Sequence, residues 1–322
     1  MQPRVFVTRE IPAEGLDRIQ EATQCLVWPK QMPPDYEALI KYSSGCNGVL
    51  SLLSDRIDAA FFDAVGPQLK VVSNFAVGYN NIDVAAAQAR GIQVGNTPGV
   101  LTEATADIAV ALLLSAARRV REGIENVSNR QWKTWEPTGF IGQDLTGKTL
   151  GIVGMGRIGR AVARRMRLGW DMKIVYTARS AKPEVDAELG SRKVEFDELL
   201  AKSDFVSIHT DLNEGTKHLF DSGALAQMKP SAVLVNTARG GIIDQAALAD
   251  ALQSKQIFAA GLDVTDPEPL ASDSPLRTMP NCVIVPHIGS GTITSRNAMA
   301  EIAADNLLAG LEGRPLRHAV TQ

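Results

Sequence analysis

The stretch Lys148-Thr-Leu-Gly-Ile-Val153-Gly154-Met-Gly156-Arg157-Ile158-Gly159-Arg-Ala-Val162 decides the fold. It reads as a strand ending at Val153, a tight turn with the spacing Gly-x-Gly-x-x-Gly, and the first turns of a helix. Glycine triplets arise by chance, so the order strand, turn, helix is what carries meaning. The first glycine makes the turn, the second lets a pyrophosphate approach the backbone, and the third lets helix and strand pack closely. The helix N-terminus adds positive potential. The segment is therefore expected to bind a dinucleotide through Gly154, Gly156 and Gly159.

Outward from it, β-branched runs alternate with helical patterns. Candidate strands are Val5–Thr8, Gly48–Leu52, Lys70–Ser73 and Ile92–Gly95, then Leu150–Val153, Lys173–Tyr176, Phe205–His209, Ala232–Asn236, Phe258–Gly261 and Cys282–Val285. Helical segments such as Asp58–Val65, Val84–Arg90, Ile158–Leu168 and Gln245–Ser254 lie between them. Such alternation predicts parallel sheets with helices on both faces. Two series predict an α/β protein of two doubly wound, Rossmann- or flavodoxin-like domains with a cleft between them. The break falls near Asn96-Thr97-Pro98-Gly99. A helix expected from Thr102 to Arg121 follows, apolar on every face at its centre and so expected to be buried between domains or subunits. Another helix is expected over Thr292–Leu311.

Three polar residues then stand in short loops after successive strands: Arg239 in Asn236-Thr-Ala-Arg-Gly-Gly241, Glu268 in Asp266-Pro-Glu-Pro-Leu270, and His287 in Pro286-His-Ile-Gly-Ser290. Each alone has a bland reading: a surface charge, a turn residue, a core histidine. Their joint placement after strands of one sheet argues otherwise, because ligands bind at the carboxyl ends of such strands. Arginine can hold a carboxylate or carbonyl oxygen, histidine can move a proton, and glutamate can keep that histidine charged and oriented. With a nicotinamide, these parts suffice to reduce a 2-keto acid. Where an NAD site usually carries Asp or Glu after its second strand, this chain has Thr177-Ala-Arg179-Ser180, with Lys182 beyond. A guanidinium and a hydroxyl suit a 2′-phosphate, so Arg179 and Ser180 predict a preference for NADP(H), with NAD(H) also possible. The bland alternative is a solvated arginine.

Composition narrows the classes. The 322 residues are 45% hydrophobic and 21% charged with a net charge of −3, as expected for a soluble globular protein. No basic run is long enough to track phosphates, so nucleic acid is not an expected partner. The longest apolar run, Ile108 to Ala117, is interrupted by Ser115 and too short to span a membrane. Charges at Arg4, Arg9 and Glu10 argue against a signal peptide. Cys25, Cys46 and Cys282, odd in number and widely spaced, are expected to be free thiols in a reducing cytoplasm, with no metal site.

Nearly the whole chain resembles the D-isomer-specific 2-hydroxyacid dehydrogenase family. The resemblance rests on Asn74-Phe-Ala-Val-Gly78-Tyr-Asn-Asn-Ile-Asp83, Gly151–Gly159, Val235-Asn-Thr-Ala-Arg239-Gly, Ala260-Gly-Leu-Asp263-Val, Glu268-Pro and Pro286-His-Ile-Gly-Ser290. Within the family it is most similar to the glyoxylate/hydroxypyruvate reductases, by the Thr177-x-Arg179 loop, the Trp132-Lys-Thr-Trp135-x-Pro137 segment and the His-Ile-Gly-Ser motif. The resemblance implies a discontinuous substrate domain, 1–100 plus 288–322, around a dinucleotide domain, 101–287.

It also implies roles. His287 would be the general acid at the keto oxygen, with Glu268 keeping its imidazolium charged. Arg239 would bind the substrate carboxylate and keto oxygen, and Val77 and Gly78 would offer backbone N–H groups to the carboxylate. Gly156, Arg157 and Ile158 would contact the pyrophosphate, Asp263 would sit by the nicotinamide carboxamide, and Thr237 and Gly289 would complete the cofactor site. Leu52 and Leu53 would form a small apolar wall suited to glyoxylate and hydroxypyruvate. Tryptophans so close together are usually core; in the resembling reductases this arm embraces the partner of a homodimer, which makes Trp135 a residue of the neighbouring substrate pocket. The rival readings are an NAD-linked dehydrogenase for D-lactate, D-3-phosphoglycerate or 2-ketogluconate, and a nucleotide-sensing, corepressor-like binding protein.

Overall fold

Short β-branched runs and helices, three of them aspartate-capped, build the first third of the chain. A computed structural model describes residues 2–321, so the end residues of the expected span 1–100 plus 288–322 lie outside the described residues. The order is β1 (Arg4–Val7), α1 (Ala13–Ala22), β2 (Gln24–Val27), α2 (Tyr36–Ser43), β3 (Gly48–Ser51), α3 (Ala59–Val65), β4 (Val71–Asn74), α4 (Val84–Ala89) and β5 (Gln93–Gly95). Asp35, Asp58 and Asp83 cap α2, α3 and α4 by accepting from the N–H groups of Ala38, Phe61 and Ala86. Each cap satisfies a donor the helix leaves unpaired and fixes where the helix starts. The strands form a parallel sheet in the order β2-β1-β3-β4-β5.

The second series runs α5 (Thr102–Ala117), α6 (Val120–Ser128), β6 (Thr149–Val153), α7 (Arg157–Trp170), β7 (Lys173–Thr177), α8 (Pro183–Leu189), β8 (Arg192–Lys193), α9 (Phe196–Lys202), β9 (Phe205–Ile208), α10 (Ser222–Gln227), β10 (Val233–Asn236), α11 (Gln245–Gln253), β11 (Ala259–Leu262) and β12 (Cys282–Ile284). Its parallel sheet has seven strands in the order β12-β11-β10-β9-β6-β7-β8. Cores of Val, Leu, Ile and Phe, including Val206, Leu234 and Leu248, fill the space between sheet and helices. Finally α12 (Ile293–Leu311) packs on α1 and on β3, β4 and β5.

The chain thus divides into two compact units, residues 1–101 with 291–322, and 102–290. The second boundary lies past 287 because His287, Ile288 and Gly289 all donate their N–H groups to Asp263 of the second unit. Two strands had no signal in the sequence: β2 is an edge strand with alternating exposure, and β8 has two residues. The helix expected over Thr102–Arg121 is two helices. Arg119 takes a left-handed φ of 55° and pairs with Glu122, which ends α5 and starts α6 in a new direction. α5 spends its apolar face on its own unit, packing on α7 and β10–β12, while Ala111 is exposed. Gly261 has no side chain because one would meet Leu112 at 2.9 Å. No helix among the described residues is long and apolar enough to cross a membrane.

Candidate active site

The glycines of the nucleotide turn are each required for a different reason. Gly154 has a φ of +98°, and a β-carbon there would lie 2.6 Å from the carbonyl oxygen of His209. At Gly159 it would lie 2.2 Å from the oxygen of Gly154, so strand and helix could not approach. At Gly156 it would meet nothing within 4 Å, which leaves the open approach a pyrophosphate needs. Gly156 caps α7 without a side-chain acceptor, and the first N–H groups of a helix have no intrahelical partner, which suits an anion. The backbone of Thr177 closes the turn by accepting from Gly154 N at 2.9 Å. Beyond it Arg179 and Ser180 are exposed. The Tyr176 hydroxyl accepts from Lys182 N at 2.7 Å and anchors the far end of that loop. Thr237, at the end of β10, is buried with its hydroxyl unpartnered among the described residues. These residues fit a dinucleotide: an open glycine, an uncapped helix start and a buried hydroxyl in need of a partner.

Arg239, Glu268 and His287 follow β10, β11 and β12, which are neighbours in one sheet, so topology alone brings them to one edge. The side chain of Asn236 shapes the first loop: Oδ1 accepts from Ala238 N at 2.9 Å, and Nδ2 donates to Arg239 O at 2.8 Å. A β-carbon at Gly240 would lie 2.1 Å from the carbonyl of Thr265, so only glycine lets the Arg239 turn press against the start of the Glu268 loop. That loop is braced by Thr265 Oγ1 donating to Pro267 O at 2.8 Å, and by Gln245 donating to Asp266 O.

His287 is held on both sides. Its backbone sits in the left-handed region, φ 53°, and its N–H donates to Asp263 O at 2.9 Å. The Asp263 carboxylate, 2% exposed, accepts from Ile288 N at 2.6 Å and Gly289 N at 2.9 Å. A side chain at Gly289 would meet that carboxylate at 2.7 Å. The imidazole Nδ1 lies 2.5 Å from Glu268 Oε1. Nδ1 carries a proton toward the carboxylate, and Nε2 is the nitrogen left to give a proton elsewhere.

The charges have definite surroundings. Burial pushes the Asp263 carboxyl up from its ordinary value, opposed by its two backbone donors and by His287. Burial lowers Arg239, while the charges of Glu268 and Asp211 oppose it; a guanidinium nevertheless stays protonated in proteins. Burial pushes His209 down to about 3, and its Nε2 lies 2.8 Å from the Ser207 hydroxyl. The backbone of His209 backs Gly154.

In the first unit, Leu52 and Leu53 are half-buried in the loop after β3, and Val77 and Gly78 half-buried in the loop after β4. Asp55 shapes the former by accepting from Leu52 N at 2.7 Å and from the Thr8 hydroxyl at 2.5 Å. Asn81 Nδ2 donates to Leu52 O at 3.0 Å, and Asn74 Nδ2 to Gly78 O at 2.9 Å. No signal in the sequence singles out these asparagines and Asp55 for this work, because only folding reveals their partners in the loops. Trp132 and Trp135 are not core residues, being 68% and 80% exposed.

The chain has clear relatives. Residues 110–289 match the family described as D-isomer specific 2-hydroxyacid dehydrogenase, NAD binding domain. A glyoxylate reductase of Korarchaeum cryptofilum is 47% identical over 100% of this chain and 97% of its own length. Among solved structures, the TT0316 protein from Thermus thermophilus has a TM-score of 0.92 at 47% identity, covering 99% of this chain and 100% of that one. An NADPH-dependent glyoxylate/hydroxypyruvate reductase from Sinorhizobium meliloti, solved with NADP and malonate, has a TM-score of 0.86 at 30% identity, covering 100% and 97%. With the nucleotide turn and the polar trio in place, the conclusion is that this chain belongs to the D-isomer specific 2-hydroxyacid dehydrogenase family and is an NAD(P)-dependent enzyme.

Proposed function

We propose that the protein reduces short 2-keto acids, glyoxylate and hydroxypyruvate, to glycolate and D-glycerate, with NADPH as the preferred coenzyme. The observation that carries this is the His287–Glu268 pair, 2.5 Å apart, on the same sheet edge as the loop of Arg239. The reduced nicotinamide, when bound, supplies the hydride. His287 gives its Nε2 proton to the keto oxygen, and Glu268 keeps the ring turned for that transfer. Arg239 binds the carboxylate and keto oxygen and stabilises the oxyanion charge as it develops. Within the first unit, the backbone N–H groups of Val77 and Gly78 would offer donors to a carboxylate, and Leu53 stands half-buried in the loop after β3. Gly156, Arg157 and Ile158 would hold the pyrophosphate of the coenzyme, Asp263 would sit by its carboxamide, and Thr237 and Gly289 would complete its site.

The coenzyme preference rests on Arg179 and Ser180, exposed where an NAD site would carry a carboxylate. Initial rates with NADPH and NADH, each with glyoxylate and hydroxypyruvate, test the whole reading. Faster turnover with NADPH is expected. Arg179→Ala is expected to raise the KM for NADPH by about tenfold or more, the loss of a hydrogen bond to a charged group, with the KM for NADH unchanged. Equal losses for both coenzymes would make Arg179 structural. Wild-type turnover with NADH alone would remove the ribose-loop argument and keep the family. The buried free thiols Cys46 and Cys282 suit a reducing, cytoplasmic setting.

We further propose a homodimer. Val120, Ile124 and Val127 lie at helical spacing on α6 and are all exposed, as are Trp132, Trp135, Phe140 and Ile141 on the arm that follows. Exposed apolar side chains gathered along one segment mark an interaction surface, and the same chemistry in a second copy would make a two-fold pairing self-complementary. Trp135 would then close the partner's substrate pocket. Sedimentation equilibrium is expected to give twice the chain mass, and Trp135→Ala to raise the KM for glyoxylate. A monomer with full activity would overturn this arrangement.

A further inference from the structure

The loop carrying Val77 and Gly78 is gripped from its carbonyl side by two consecutive residues just past β5. Thr97 N donates to Ala76 O at 2.8 Å, and Asn96 Nδ2 donates to Val77 O at 2.7 Å. In a trans peptide the carbonyl and the N–H of one unit point in opposite directions. The Ala76 carbonyl shares its unit with the Val77 N–H, and the Val77 carbonyl with the Gly78 N–H. Holding both carbonyls from the Asn96-Thr97 side therefore turns both N–H groups away from it. Neither of these N–H groups donates to a protein acceptor among the described residues. Two adjacent N–H groups without a protein acceptor can serve one anion together.

Asn96 is in turn fixed in place. Its N–H donates to His318 O at 3.1 Å, and its carbonyl accepts from Asn306 Nδ2 at 2.9 Å. Asn306 is fully buried on α12. It reaches that position because residue 95 is glycine: a β-carbon there would lie 2.8 Å from Asn306 Nδ2. A chain of contacts thus runs from α12 through Asn96 to the Val77–Gly78 peptide, and none of its side chains need touch a substrate.

We infer that Asn96 is a positioning residue for the substrate carboxylate, setting the Gly78 N–H by holding the Val77 carbonyl. The inference rests on the reading of Val77 and Gly78 as the carboxylate site. Without the amide donor the Val77 carbonyl loses that hold, and the Gly78 N–H is less narrowly directed, although Ala76 O and Gly78 O stay anchored by Thr97 N and Asn74 Nδ2.

The test uses the full-length enzyme with Asn96→Ala and Asn96→Asp. Its probe is oxalate, a small carboxylate with no keto group to reduce. Oxalate affinity for the NADPH complex is read from coenzyme fluorescence, beside KM and kcat for glyoxylate, NADPH affinity and Tm. Asn96→Ala is expected to weaken oxalate and raise the glyoxylate KM together by about tenfold, the scale of one hydrogen bond to a charged group. Asn96→Asp is expected to weaken both further, since a carboxylate cannot donate to Val77 O and repels the anion. NADPH affinity and kcat at saturating glyoxylate should stay at wild-type values. Unchanged oxalate affinity and KM with a lowered Tm would overturn the inference and leave Asn96 a structural residue. A parallel loss of NADPH affinity would overturn it too. A wild-type enzyme that fails to reduce glyoxylate sinks the proposed substrate separately, because the oxalate titration needs no turnover.

Discussion

His287→Ala is expected to lower kcat for glyoxylate about 100- to 10,000-fold, the range supplied by a positioned general acid, while NADPH binds as in the wild type. The argument is geometric. The Glu268 carboxylate occupies Nδ1 at 2.5 Å, which commits the ring to one orientation and leaves Nε2 as the proton donor. The backbone beneath the ring is set by Asp263, through two N–H groups of the next two residues, and does not depend on the imidazole. Removing the ring therefore deletes the proton without moving the loop, so the loss falls on kcat. Stopped-flow single-turnover reduction separates this from slow product release. Wild-type chemistry in the variant would take His287 out of its role.

The second large effect is expected for Arg239→Lys. The variant keeps the positive charge, so an effect of charge alone would leave it nearly active. The guanidinium is a planar fork that can hold two oxygens at once, whereas an ammonium is a point donor on a flexible stem. Arg239 lies in a turn that Asn236 brackets and that Gly240 presses against Thr265, which fixes the direction in which the fork leaves the backbone. Loss of one donor to a developing oxyanion costs about 100- to 1,000-fold in kcat, and that is the expected fall. Steady-state kinetics with glyoxylate check it. A loss confined to KM would mean that Arg239 binds the carboxylate and contributes nothing to the transition state.

Much of the candidate site was legible in the sequence because its chemistry is local. Gly154-x-Gly156-x-x-Gly159 encodes a turn whose steric demands lie within a strand and the helix that follows. The β-branched runs of β6, β9 and β10 are short, buried and bounded by turn residues, so they stand out. Arg239, Glu268 and His287 each sit a few residues past such a run, and parallel strands put their loops on one edge. Weak elements were not legible. β2 lacks a continuous apolar run because it lies at a sheet edge, β8 is too short for any periodicity, and the left-handed Arg119 that divides α5 from α6 interrupts no hydrophobic pattern.

By itself, then, the sequence determined the two series of parallel strands, the dinucleotide turn and the three polar side chains, all written in spacings of a few residues. Only the tertiary structure decided which nitrogen of His287 is free, why residue 240 must be glycine, and how Asp263 grips the loop after β12. Only it decided that Asn96 holds the carbonyl of Val77, and that Trp132 and Trp135 lie exposed. The physical reason is the same in each case. Hydrogen-bond direction and closest approach are set between backbone segments far apart in the chain, and a sequence specifies those distances only through the packing of everything between them.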